Sequence, residues 1–167
     1  MMHDLTYLRR AFGTFATGVT VITTRSGDGT PRGFTANSFS SVSLEPALLS
    51  VCVAKSACSA DVFHSAPGFG VNILSADQRE LSQLFASKDP GKFRESAWQD
   101  GPAGNPILDG VAAWFDCTTD KRIDAGDHFM LLGRIEGFDR RDCGLLGYAM
   151  GGYIDIGSSR HAAGGAS

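Results

Sequence analysis

A chain of 167 residues is the length of one domain and is long enough to bury a real core. Its 43% hydrophobic and 20% charged residues are ordinary for a soluble globular protein. The net charge of −3, with both signs scattered and no long run of either, excludes a general attraction to nucleic acid or an anionic membrane.

The first predicted element is a helix over 4–17, with Asp4 as its cap, Leu5, Leu8, Phe12 and Phe15 on one face, and Gly18 as its stop. "VTVITT" (19–24) is β-branched and reads as a strand. The turn "SGDGTP" leads to a second strand, "RGFTA" (32–36), making a hairpin. A polar, hydroxyl-rich stretch, "NSFSSVSLEP" (37–46), precedes the buried strand "ALLSVCVA" (47–54). "KSACSADVF" reads as a loop feeding a short helix, and "FGVNIL" (69–74) as a strand. Ser75 and Gln78 form an S-x-x-Q capping box for a helix through Leu81, Leu84 and Phe85. Residues 86–106 read as loop with room for a short helix. "VAAWFDCTTDK" (111–121) alternates, with Val111, Ala113, Phe115 and Cys117 on one face. A turn at 124–127 then leads into the strand "DHFMLLGRIEGF", and "LLGYAMGGYID" closes the sheet. Residues 158–167 lack bulky apolar groups and are expected to be a disordered tail behind a single domain over 1–157. Six or seven strands joined mainly by turns predict a mostly antiparallel sheet, a barrel, and argue against a doubly wound parallel fold.

Several chemistries are missing. There is no G-x-S-x-G, no G-x-x-x-x-G-K and no H-E-x-x-H, and "GDGTPRG" lies in a hairpin turn instead of opening a helix. Cys52, Cys58, Cys117 and Cys143 form no C-x-x-C pair, and no histidine stands at zinc spacing from them, so no metal site is expected. Cys52 and Cys117 read as buried free thiols. The N-terminus has no apolar signal core and no segment approaches transmembrane length, which predicts a cytoplasmic chain.

What remains is a set of polar segments, each with two readings. "GFTANSFSSVS" is either a solvated loop or a loop that binds a polar heteroaromatic ring or a phosphate. In "KSACSAD", Ser59 either caps a helix or joins Lys55 and Ser56 in an anion site. Lys88 and Lys92 either reach a phosphate or stand exposed. His64 reads as a surface residue. His128, after a Gly-Asp turn, is either a satisfied structural histidine or a functional one.

The run "FATGVTVITT", "GFTANSFSSVSLEPALLSVCV", "FGVNILS", "LSQLFASKDPGKF" and "GDHFMLLGRIE", in this order, resembles the flavin reductase family with the FMN-binding split-barrel fold. The resemblance covers roughly residues 5–156. It implies a mainly β fold, a split β-barrel of about six antiparallel strands with flanking helices, and a homodimer with flavin near the subunit interface. It implies that Thr35, Ala36, Asn37, Ser38 and Phe39 contact the flavin, with Ser41 and Val42 close behind. Ser56, Ala57, Cys58 and Ser59 would face its phosphate, and Lys88 and Asp89 would be a further contacting pair. His128 would lie on the nicotinamide side as a positioning residue, with Gly151, Gly152 and Tyr153 closing that pocket. The family's usual double proline is Pro46-Ala47 here, and its usual arginine near Met150 is missing. The implied activity is hydride transfer from NADH or NADPH to FMN or FAD, supplying reduced flavin to a partner flavin-dependent monooxygenase. Alternatives on the same fold are a flavoprotein of the pyridoxamine-phosphate-oxidase type and a non-enzymatic flavin or haem binder.

Overall fold

A computed structural model describes residues 4–157. The tail expected over 158–167 lies outside the described residues. The first helix, α1 (Leu5–Gly13), is capped as expected: the Asp4 carboxylate accepts from the N–H groups of Thr6 at 2.9 Å and Tyr7 at 3.4 Å. It stops earlier than expected because Thr14 turns its hydroxyl back to the Ala11 carbonyl at 2.8 Å, and the chain then enters β1 (Thr17–Gly18). No residue of α1 is buried. There follow β2 (Thr20–Arg25), β3 (Pro31–Ala36), β4 (Ser40–Leu44), β5 (Ala47–Ala54), α2 (Ala60–Ser65), β6 (Gly68–Ile73) and α3 (Arg79–Ala86). After them come β7 (Trp98–Asp100), β8 (Pro106–Leu108), β9 (Ala113–Ala125), β10 (His128–Arg140), β11 (Leu145–Ala149) and β12 (Gly152–Ile156).

Seven strands form one sheet in the order β3-β2-β6-β9-β10-β5-β4, with every pair antiparallel. Its two edges, β3 and β4, are consecutive in the chain and joined only by Asn37, Ser38 and Phe39. A flat sheet of this width would hold its edges about 29 Å apart, at about 4.8 Å per spacing. Four extended residue steps span at most about 14 Å. The sheet therefore curls into a barrel, split where β3 and β4 face each other unpaired. Ser38 secures this seam. Its hydroxyl accepts from the Cys52 N–H at 2.9 Å and donates to the Cys52 carbonyl at 3.2 Å, continuing the ladder beyond the Ser40–Ser50 pair.

β2 explains its β-branched sequence by being buried on both faces. Ile22 enters the barrel interior with Val51, Val53, Phe63, Phe69 and Leu131. Val21 and the preceding Val19 join Leu74, Phe85, Leu108 and Leu146 in a second core outside it. The period of two along a strand makes this division. The face expected for 111–117 is corrected: Phe115 and Cys117 belong to the barrel core, whereas Val111 precedes β9, is not bound by its alternation, and belongs to the outer core. A three-stranded sheet, β1-β11-β12, covers the outer core and is stitched on by Val19 N–H to Leu146 O at 3.0 Å and Leu146 N–H to Leu74 O at 3.1 Å.

Three local expectations are revised. The 37–46 stretch contains strand β4, whose exposed residues give no burial pattern to read. The segment 86–106 contains β7 and enters β8 at its end, and this hairpin is held by the buried Asp116 carboxylate, which accepts from Ala103 N and Asn105 Nδ2, both at 2.6 Å. Burial raises the Asp116 pKa, with those hydrogen bonds opposing. The capping box is half formed: Gln78 Oε1 accepts from Ser75 N at 3.1 Å, but Ser75 turns its hydroxyl to Asp77 and the Gly110 carbonyl. The helix consequently starts at Arg79.

Ser38→Ala should remove the seam's two hydrogen bonds and cost about 1–3 kcal/mol of unfolding free energy. A urea unfolding midpoint unchanged from wild type would show that the seam does not depend on this hydroxyl.

Candidate functional site

A cleft of about 480 Å³ opens beside the barrel seam. One wall is β3, another the loop from Ser56 to Ser59, and the third the segment that leaves α3, from Ala86 to Phe93. α3 lies directly on β3 because residue 33 is glycine; a Cβ there would stand 3.0 Å from the Phe85 ring and 3.1 Å from the Ile22 carbonyl. Thr35 reinforces the contact by donating to the Ser82 carbonyl at 2.5 Å. The cleft brings together Thr35, Ser56, Ala57, Cys58, Ser59, Lys88 and Asp89 from the expected set.

Its charge differs from that of the chain. Arg32, Lys88 and Lys92 line it against a single carboxylate, Asp89. That carboxylate accepts from the Gly91 N–H at 2.6 Å and so shapes its own turn. The Lys92 ammonium donates to the carbonyls of Ser87 at 2.7 Å and Phe85 at 3.2 Å, and lies 5.7 Å over the Phe85 ring. Burial pushes its pKa below the ordinary lysine value, against the pull of Asp89. Opposite, Ser59 sits at the start of α2 but makes no side-chain cap bond, and its hydroxyl has no partner among the described residues. The amides of Ser56, Cys58 and Ser59 have no acceptor among the described residues. Free N–H and O–H donors facing cations suit a phosphate.

A hollow of about 250 Å³ adjoins the cleft through Thr35 and Ala86 and gathers Ala36, Asn37 and Tyr153. The Tyr153 hydroxyl bonds the Ser82 hydroxyl at 2.8 Å, and the Arg79 guanidinium lies 5.1 Å over its ring. Gly151 stands in a wider groove, between α1 and the β11–β12 hairpin, that Asn37 also reaches. In that hairpin Met150 and Gly151 both take positive φ, 51° and 81°, as a two-residue turn closing two twisted strands requires. The Met150 N–H bonds the Gly13 carbonyl at 2.7 Å and ties α1 to the hairpin.

The remaining expected residues lie outside the cleft and the hollow. Ser38 is engaged with Cys52, as described. Phe39 packs on the barrel core, stacked 5.8 Å from Phe115. Ser41 and Val42 are exposed on β4, where Val42 falls at a register shift. His128 opens β10 opposite Ala54, after a turn made by Gly126 (φ 63°) and Asp127. Its Nδ1 is 2.7 Å from the Asp127 carboxylate, and this hydrogen bond holds the Asp127 pKa below its usual value. An ionised carboxylate only accepts, so Nδ1 carries the proton and Nε2 is the atom left to meet a ligand. Lys55, the residue before the cleft loop, fixes the turn by bonds to the Asp127 and Gly126 carbonyls at 2.9 and 2.7 Å. His64 is exposed, as expected, with its ring edge-on to Phe129.

Sequence reasoning missed Arg32 and Ser82, and of the two lysines the resemblance named Lys88 and left out Lys92. A signal existed for Lys92: it lies four residues beyond Lys88 in a turn rich in helix-terminating residues, where a cation can meet the last carbonyls of α3. Arg32 and Ser82 gave none, since only the packing of α3 on β3 brings them to one place. Among the described residues no His, Cys, Asp and Glu cluster could hold a metal ion.

The flavin reductase like domain family matches residues 12–157. The chain is 50% identical over 147 residues to the reductase component of the flavin-dependent trigonelline monooxygenase of Acinetobacter baylyi, covering 88% of this chain and 47% of that one. It is 49% identical over 147 residues to the stachydrine N-demethylase reductase subunit of Rhizobium meliloti, covering 88% and 64%. The chain thus spans about half to two thirds of the length of these relatives. The structure of the Streptomyces globisporus NADH:FAD oxidoreductase in complex with NAD and FAD fragments superposes with a TM-score of 0.87 at 34% identity, covering 94% of this chain and 95% of that one.

The thiols offer a check on this geometry. Cys58 is exposed on the cleft wall, whereas burial, aided by the charges of Asp116 and Glu136, pushes the Cys117 thiol up to about 12. Iodoacetamide at pH 8 should alkylate Cys58 in the native chain and Cys117 only after unfolding, as read by peptide mass spectrometry. Equal labelling of the two would contradict the structure.

Proposed function

The chain belongs to the flavin reductase like domain family, and from that membership we propose that it is an NAD(P)H:flavin oxidoreductase that supplies reduced FMN or FAD to a partner monooxygenase. The observation that carries this reading is the cationic cleft at the seam, whose free hydroxyls and amides fit a flavin phosphate. Its volume is that of a small-ligand site, and the adjoining hollow, with its two tyrosines, fits an aromatic ring.

A bound flavin supplies N5 as acceptor for the hydride of nicotinamide C4. The protein's part is placement. Ser56 and Ser59 hold the phosphate with their hydroxyls and backbone N–H groups. β3 pairs only with β2, so the free backbone groups on its outer edge are available to the ring's polar rim. Thr35, Ala36 and Asn37 set that rim, and Ser38 and Phe39, whose side chains turn to the barrel, support it from behind with Ser41 and Val42. Lys88 and Asp89 order the mouth, and Gly151 and Tyr153 bound the nicotinamide side. His128 offers Nε2 to the nicotinamide nucleotide, while Asp127 holds its Nδ1 proton. Much of the rate comes from this orientation. Ser56, Cys58, Lys88 and Asp89 are all exposed, which suits a flavin that must leave once reduced.

The homodimer is part of the proposal. The apolar face of α1 is bare, with Leu5 and Phe12 exposed at 69% and 70% and Phe15, just past the helix, at 78%, and a second subunit would cover them. Sedimentation at twice the monomer mass is expected; a monomer at micromolar concentration would count against it. Cytoplasmic residence is proposed from the four free cysteines, which suit a reducing compartment. Among the described residues no helix is long and apolar enough to cross a membrane.

Absorbance at 340 nm, followed with NADH or NADPH and FMN or FAD, tests the activity. Turnover with at least one pair is expected, and His128→Ala should raise the nicotinamide KM about tenfold with little change in flavin affinity. Flavin binding without turnover would favour a non-enzymatic binder. Oxidation of pyridoxamine phosphate would favour the oxidase alternative.

A further inference from the structure

The cleft holds two lysines in different physical situations. Lys88 is exposed and makes no side-chain hydrogen bond among the described residues, and a mobile surface cation contributes little affinity. Lys92 is half-buried and fixed at two points, the carbonyls of Phe85 and Ser87 at the C-terminal end of α3. An ammonium has three N–H donors, so one is left. No carboxylate among the described residues pairs with it. Lys92 lines the same cleft as the Ser56–Ser59 loop, whose Ser56, Cys58 and Ser59 amides have no acceptor among the described residues.

We propose that Lys92 is the specificity-determining cation of this site. Pinned to the end of α3, it directs its remaining N–H and its charge to the ligand's phosphate, and so separates phosphorylated flavins from riboflavin. Lys88, at the mouth, adds only a salt-sensitive attraction. The pinning matters because the carbonyls of Phe85 and Ser87 place the ammonium before any ligand arrives, so binding does not have to order a long side chain. A cation shielded from solvent is also screened less by salt than one at the rim. The inference rests on the reductase reading of the cleft.

The test is equilibrium titration of the full chain with FMN and with riboflavin, read by quenching of flavin fluorescence. Lys92→Met should weaken FMN binding about tenfold or more while riboflavin changes less than about twofold. Lys92→Arg should recover most of the FMN affinity. Lys88→Met should have a smaller effect, one that vanishes in about 0.5 M salt. Equal loss of both flavins in Lys92→Met and also in Lys92→Gln would make the residue a helix cap and overturn the proposal. Unchanged FMN binding in Lys92→Met would overturn it equally. A wild-type chain that binds neither flavin is a distinct result, and it would remove the reductase reading together with this inference.

Discussion

The structure depends on a reach too short for a flat sheet. β3 and β4 are the outer strands of seven, yet only Asn37, Ser38 and Phe39 join them. Curling is the sole way to satisfy both the ladder and the link, and it leaves a seam with unpaired strand edges. Most proteins cover or charge such edges. Here α3 and the two loops beside it gather at the β3 edge and make a cleft of what would otherwise be a liability. The link is thus a structural joint and the border of the site at once. That explains why Ser38 and Phe39 turn their side chains to the barrel while Asn37 meets the hollow.

Much of this was legible in the sequence because the signals were local. Asp4 before an apolar periodicity, the β-branched run of β2, and a Gly-Asp pair between two long alternating strands each specify their geometry within a few residues. The order of motifs then implied the split barrel and the family. Less legible was whatever depends on partners distant in the chain. β4 is exposed and hydroxyl-rich, so nothing in its letters separates it from a loop; only pairing with β5 makes it a strand. β7 and β8 owe their hairpin to a buried carboxylate on β9. The capping box failed because the Ser75 hydroxyl found Asp77 and the Gly110 carbonyl first. The grouping of Thr35 with the Ser56–Ser59 loop and Lys88 was expected from the resemblance alone, since no spacing in the sequence brings three separate segments together.

Local and global electrostatics also diverge. A chain of net charge −3 carries three cations against one carboxylate in its main cleft. Net charge governs solubility and long-range encounter, while the nearest few groups govern what binds. The thiols show the reverse effect: Cys117 is buried as expected and Cys52 only half-buried, and burial raises both, making them groups of low reactivity. Neither kind of residue declares its role by type, and each acquires it from its surroundings.

The first helix has a consequence of another kind. α1 is nine residues long, buries no side chain, and is tied to the rest by the Gly13–Met150 backbone bond. A helix so short has little intrinsic stability in water. In the proposed homodimer its persistence would be governed by mass action, through the subunit that covers its apolar face. In that dimer the helical population of this segment would depend on concentration, while the barrel core, buried within one chain, would not need the partner to close it.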